Sequence, residues 1–380
     1  MNKRISWMLV LSAWLSACGS PQENFSEGTL VAIGGDTHFG ENYVGSEDLG
    51  DKDRYTTGLE HLRPLLRRAD YSIVNFETPM SERTPDRLRN KDYIHFTDPA
   101  KAIPALKAAG IDALGLANNH SMDQGAAGLE NSLDVLAPNG IDSFGMGRTL
   151  DEAAAPLIRQ VPRPGGGTMT LAVFAMFQER DNYRKNWPFY ADTAQPGAAP
   201  LDVQNFSRQV AQLRREHDDA FIIAYPHWGS NYAWVSEEQE ALGKALIDAG
   251  ADMVIGHHSH GTQEIARYKD RWILYGIGNL YFNSRGRFAD YERAQPFGLV
   301  AELSFGVEAG SEPGVRLHPF LSDNLKTGFK PRPATADEAA ALMRTVRYRK
   351  KSTSFDAVLV KDEDGRTAIE LTPLSWTNWW

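Results

Sequence analysis

Leu30-Val31-Ala32-Ile33-Gly34-Gly35-Asp36-Thr37-His38 is a short apolar run that stops abruptly in a polar cluster. A run of this length, bounded by glycine and polar residues, suits a strand buried on both faces. The pattern recurs along the chain. Tyr71 to Val74 leads into Asn75-Phe76-Glu77, Ala113 to Leu116 into Asn118-Asn119-His120, and Phe221 to Ala224 into Pro226-His227-Trp228. Met253 to Ile255 leads into His257-His258-Ser259-His260, and Trp272 to Tyr275 into Gly278-Asn279. Leu171 to Ala175 is a further run of the same kind.

Between these runs lie helix-like stretches at Gly58 to Arg68, Pro99 to Ala109, Ala126 to Ala137, Val203 to His217 and Glu237 to Ala249. Alternating strands and helices predict an α/β sheet. Gly110 and Gly250 each fall between a helix and the next strand, where glycine suits a helix C-cap. Gln178 to Pro200 shows no period and reads as a long surface loop. Beyond Gly298, strands at Leu299 to Phe305 and Ala357 to Val360, with a helix from Thr335 to Val346, read as additions to the same domain. The terminal Trp376, Trp379 and Trp380 are expected to pack onto the body, although tryptophan also suits a membrane interface.

The 380 residues can bury a large core, and 42% hydrophobic with 23% charged residues is ordinary globular composition. A net charge of -9 argues against generic nucleic-acid binding, which favours basic surfaces. The N-terminus carries Lys3 and Arg4, an apolar stretch from Ile5 to Leu15, and then Ser16-Ala17-Cys18. This reads as a secretory leader, too short for a span of ~20 apolar residues. Leu15-Ser16-Ala17-Cys18 resembles a lipobox, so Cys18 is expected to be lipidated and to tether an extracytoplasmic protein, at the outer membrane if the source has two. Residues 1–17 are then the leader, 18–29 the tether, 30–300 the main domain and 301–380 its C-terminal additions. Cys18 is the sole cysteine, so metal ligands must be His, Asp, Glu or Asn.

In α/β sheets ligands bind beyond the carboxyl ends of strands, where these polar clusters fall. Asp36 and His38, two apart at a strand end, are expected to point the same way. A carboxylate such as Glu77 can bridge two cations, and Asn119 offers a neutral oxygen. His120 is directed differently and is assigned to proton transfer. His227, His258 and His260 add imidazoles. Such oxygen and nitrogen ligands suit Zn, Mn or Fe, and a pair of ions ~3.5–4 Å apart can activate a bridging hydroxide.

The blocks Gly35-Asp36, Val74-Asn75-Phe76-Glu77-Thr78-Pro79, Ala117 to Gly125, His227-Trp228-Gly229, Gly256 to His260 and Tyr275 to Asn279 resemble the CapA family, also called PgsA-like or poly-γ-glutamate biosynthesis proteins. That family lies within the calcineurin-like metallophosphoesterases. The resemblance implies a four-layer α/β/β/α sandwich. It implies that Asp36, His38 and His260 hold one ion and Asn119, His227 and His258 the other, with Glu77 bridging. His257 can replace His258 in a second register. His120 would assist the leaving group, with Asp123 orienting it or capping the next helix. Asn279 and Arg89 are candidate substrate contacts, Arg89 within a basic group with Arg83, Arg87 and Lys91. The expected function is a metal-dependent hydrolase of an anionic polymer or phosphoester, cutting an amide or phosphoester bond, within or beside a capsule or polyglutamate synthesis complex. The competing reading is a non-catalytic envelope subunit that binds or exports an anionic polymer.

Overall fold

The computed structural model describes residues 28–40, 54–292, 294–306, 312–348 and 355–374. The leader, Cys18, most of the tether and the three terminal tryptophans lie outside the described residues.

The expected mixed α/β sandwich is observed, built on two large sheets. The ten-stranded sheet runs, in spatial order, Phe355–Lys361, Thr367–Pro373, Gly314–Leu321, Phe297–Phe305, Thr29–His38, Tyr71–Phe76, Ala113–Gly115 and Asp142–Phe144. Asn279–Phe282 pairs with Thr29–His38, and Arg332–Pro333 with Gly314–Leu321. The six-stranded sheet runs Ile265–Tyr268, Arg271–Leu274, Met253–Ile255, Phe221–His227, Thr168–Phe177 and Leu157–Pro162.

Alternation along the second sheet explains its continuous apolar runs. Leu171, Val173, Ile223, Tyr225 and Ile255 join the core between the sheets. Their neighbours Ala172, Phe174, Ile222, Ala224 and Val254 instead pack with Phe206, Val210, Leu213, Leu246 and Ile247 of two outer helices. Both faces of each strand are dry, so a period of two cannot show in hydrophobicity. The outer helices, Val203–Glu216 and Glu237–Asp248, begin at well-made caps. Asp202 accepts from the Gln204 and Asn205 amides, and Ser236 with Gln239 forms a capping box.

In the first sheet Thr29–His38, Tyr71–Phe76, Ala113–Gly115 and Asp142–Phe144 are parallel neighbours in chain order. Right-handed crossovers stepping one way along a sheet keep their helices on one face. Those helices bury Leu65, Leu66, Leu106 and Leu129 in the main core. Gly110, with φ +83°, ends the helix Pro99–Ala109 as expected.

Three local expectations need correction. The stretch Gly58 to Arg68 is not one helix: Arg54–Thr57 and Arg63–Arg68 are separated by turns. Pro64 lacks an N–H and fits the first turn of the second helix rather than an interior. Gln178 to Pro200 is not simply a surface loop, because Phe189 and Tyr190 are buried, Asp181–Asn186 is helical and Gly197–Ala198 pairs with Met146–Gly147. Asn279 begins a strand rather than following one, and lies in register with Asp36.

Candidate metal centre

Asp36 occupies the end of a central strand where the backbone is pressed against its neighbour. Its N–H donates to the Gly278 carbonyl at 3.1 Å, and a Cβ at Gly35 would sit 1.8 Å from that oxygen. Only glycine leaves room there. The Asp36 carboxylate accepts from Asn75 Nδ2 at 2.8 Å and from the His258 N–H at 3.0 Å. Asn75 in turn accepts from Asn118 Nδ2 at 3.2 Å, so three parallel strands share one polar ladder behind the carboxylate.

Histidines from the other sheet face it. His257 Nδ1 is 3.2 Å and His260 Nδ1 3.6 Å from Asp36 oxygens. His227 Nδ1 lies 2.8 Å from His257 Nδ1, and His227 Nε2 lies 2.6 Å from Asn119 Oδ1. Glu77 Oε1 is 3.6 Å from His227 Nε2 and 3.9 Å from His120 Nε2. Three sets of side chains, Asp36 with His227 and His257, Glu77 with His227 and His258, and Asp36 with Glu77 and His260, each hold their ligand atoms within 4.8 Å of one another. All of these residues are buried.

The backbone that delivers the histidines is under strain. His258 has φ 93° and His260 φ 60°, left-handed values that cost non-glycine residues on the order of 1 kcal/mol or more each. The turn they make lets consecutive histidines face the same centre, which a regular strand forbids. His257 and His258 therefore both point inward, one beside Asp36 and the other beside Glu77.

Electrostatics distinguish the two carboxyls. Burial, reinforced by the Asp36 charge, pushes Glu77 well above the usual carboxylate range. Burial also pushes Asp36 up, but the hydrogen bond and charge of His257, with His260 and His258, more than offset it and leave it lowered. Burial depresses His227 and His120, and brings His258 down to about 3. These imidazoles stay neutral near pH 7, the form with a free lone pair.

A divalent metal fits this donor set. Both Glu77 oxygens, His257 Nε2 and His258 Nδ1 are buried with no hydrogen-bond partner among the described residues. An unbonded buried carboxylate is costly unless a cation compensates it.

The remaining candidate residues are placed as follows. Asp123 Oδ2 lies 2.7 Å from His120 Nδ1. His38 joins none of the three sets, and the strand register shifts between Asp36 and Thr37. Its ring stacks on Phe282 with centroids 4.4 Å apart and meets His95 edge-on at 4.3 Å. Asn279 is buried, its Oδ1 2.9 Å from His260 Nδ1, an orienting contact. Arg89 is exposed. Two residues on, Lys91 turns inward, its Nζ 2.5 Å from Asp123 Oδ1 and 3.0 Å from His120 Nδ1. In the sequence Lys91 is only one of a basic group, and nothing local marks His95, Asn75 or Asn118 as site residues, because a charge count carries no signal of inward direction.

Two packed sheets, outer helices and a buried histidine–carboxylate cluster at the strand ends define an α/β sandwich with a candidate two-ion centre. Residues 30–284 match the family described as bacterial capsule synthesis protein PGA_cap, and the chain belongs to that family, as the motif resemblance implied. Among its relatives, the PGA biosynthesis protein CapA of Bacillus subtilis is 28% identical over 273 residues, covering 71% of this chain and 68% of that protein. The capsule biosynthesis protein CapA of Bacillus anthracis is 28% identical over 318 residues, covering 82% and 72%. A solved structure of a novel phosphatase from Mycoplasma pneumoniae matches with a TM-score of 0.38 at 12% identity, covering 82% of this chain and 96% of its own.

Proposed function

We propose that this capsule-synthesis family member is a lipid-anchored, extracytoplasmic hydrolase that uses two divalent metal ions on an anionic polymer of the poly-γ-glutamate kind or on a phosphoester. The observation that carries the reading is Glu77: fully buried, with both oxygens lacking a donor among the described residues, and surrounded by neutralised imidazoles. Such an arrangement calls for a compensating cation, which a platform that binds polymer without metal does not need.

Asp36, His257 and His260 would hold one ion and Asn119 and His258 the other, with Glu77 and His227 lying between the two groups and available to either. Two divalent ions, when bound, would polarise the scissile group and acidify water. The chain does the rest. Asn75 and the His258 N–H hold Asp36, Asn279 holds His260, and Asp123 holds His120. His120 Nε2, which faces the Glu77 side of the cluster, is placed to hand a proton to the departing group. The polymer assignment is supported by the names of the Bacillus relatives.

The test is metal stoichiometry by elemental analysis on protein beginning after Cys18 and purified without chelator, followed by turnover assays on polyglutamate and on phosphoesters. Close to two transition-metal ions per chain with chelator-sensitive cleavage is the expected result. Failure to take up Mn, Zn or Fe would overturn the hydrolase and leave polymer binding. The anchor is tested separately: Cys18→Ala should move the protein from the membrane fraction to the soluble fraction.

A further inference from the structure

We propose that Arg287 is a specificity-determining residue beside the metal centre, where it holds a pendant carboxylate of an anionic chain whose neighbouring group lies at the histidine cluster; this rests on the proposed function. A wall of aromatic rings runs outward from His260. Tyr232 meets the His260 ring with centroids 5.4 Å apart, Tyr291 stacks on Tyr232 at 5.1 Å and 14°, and Phe288 meets Tyr232 edge-on at 5.1 Å. Arg287 crowns this wall. Its N–H donates to Tyr232 Oη at 3.0 Å, its Nη2 donates to Tyr291 Oη at 2.8 Å, and its guanidinium lies over the Tyr291 ring, 5.1 Å from the centroid.

The segment that carries Arg287 is fixed at its base. The Asn283 N–H donates to the His38 carbonyl at 2.8 Å, the Asn324 side chain donates to the Ser284 carbonyl at 2.5 Å, and the N–H of Gly286, at φ 69°, donates to Ser284 Oγ at 3.1 Å. A guanidinium held in this way has little freedom left to lose on binding. The Arg287 side chain is nevertheless 50% exposed, so part of its donor fork faces solvent. That planar fork matches a carboxylate. One carboxylate already stands nearby: Asp290 Oδ2 is 3.7 Å from Nε, beyond hydrogen-bond length, on a side chain that is 67% exposed. An incoming carboxylate can take that place. The charge is also felt at the centre, since burial lowers His260, Asp36 and Asn279 oppose this, and Arg287 adds to the lowering. Arg180, by contrast, donates to the Gly229 carbonyl and braces the backbone after His227.

The probe is a γ-linked glutamate decamer bearing a fluorophore. Its binding to the zinc-loaded full chain is read by fluorescence anisotropy in a His120→Gln background, so that the probe is not consumed. Arg287→Met should weaken binding about tenfold, the scale of a hydrogen bond to a charged group. Arg285→Met, which removes the same charge from an exposed position two residues away, should weaken it only about twofold. Asp290→Asn should tighten it. No binding by the parent, unchanged affinity in Arg287→Met, or an equal loss in Arg285→Met would overturn the proposal. If Arg287→Met fails to fold, unchanged affinity in Asp290→Asn does the same. Zinc content is measured on the same samples. Arg287-dependent binding by protein that takes up no zinc would sink the metal-dependent reading and leave the Arg287 contact standing, whereas zinc uptake with affinity indifferent to Arg287 would overturn this contact alone.

Discussion

The Nδ1 atoms of His227 and His257 face each other 2.8 Å apart at adjoining strand ends, with Asp36 Oδ1 3.2 Å from the His257 atom. Two imidazole lone pairs at that separation repel unless a proton or a cation lies between or beside them. Burial holds His227 neutral, so either the one N–H of a neutral ring, shared between the two nitrogens, or a bound cation relieves the repulsion.

His227 belongs to two of the three ligand sets, whereas His260 belongs to one. His227→Ala is expected to weaken zinc uptake on the order of 100-fold or more, beyond the effect of losing an outer-shell partner. His260→Ala should retain part of the uptake. Titration with a competing chelator measures both; equal losses would contradict the shared position of His227.

Glu77→Gln should have opposite effects on stability and on metal. Removing a buried carboxylate that lacks a donor relieves its desolvation cost, so the metal-free protein should gain roughly 1–3 kcal/mol. Added zinc should then raise the melting temperature much less than in the wild type. Thermal unfolding with and without EDTA gives the comparison, and a less stable metal-free variant would count against the cation-compensation account.

Gly35→Ala places a Cβ 1.8 Å from the Gly278 carbonyl oxygen, between two paired strands. Neither backbone can yield without moving Asp36. The expected loss is roughly 3 kcal/mol or more, with metal uptake impaired. Urea unfolding and zinc titration check the two effects, and a loss below 1 kcal/mol would show that the strand pair adapts.

A pH effect is expected from a second buried charge group, away from the metal centre. Burial by itself would push the Glu302 carboxyl up, but hydrogen bonding and charge from His318 and Arg68 hold it at about 2. The folded value lies below the unfolded one. The stabilisation is therefore complete above pH 4.5 and lost as pH falls through about 2. It amounts to on the order of 3 kcal/mol. Glu302→Gln should be less stable than wild type at pH 7, and the gap should close between pH 4.5 and 2 in urea unfolding. A gap independent of pH would rule out the charge as its source.

Much of the fold is legible because its physics is local. The buried parallel strands are short apolar runs, and Gly110 marks a helix end by its freedom to adopt a positive φ. Pro64 was equally readable, since a missing N–H does not suit a helix interior, yet the apolar pattern around it concealed the break. Leu157–Pro162 carries no apolar run, because it is an edge strand with four exposed positions among its six. Asn279–Phe282 is not separable by pattern, because it follows Tyr275 so closely that the two strands read as one run and its tail.

The sequence by itself determined the alternation of strands and helices, the strand-end placement of Asp36, Glu77, Asn119, His227 and the histidine cluster, and the motifs that tie the chain to its family. These follow from side-chain chemistry and short-range backbone preference. Only the tertiary structure decided that His257 and His258 both face inward, that His38 stacks on Phe282, and that Lys91 reaches the His120–Asp123 pair. Each depends on a positive φ, a strand bulge or a loop folded back from elsewhere. Such features are set by the balance of contacts across two sheets, and no local pattern of residues encodes that balance.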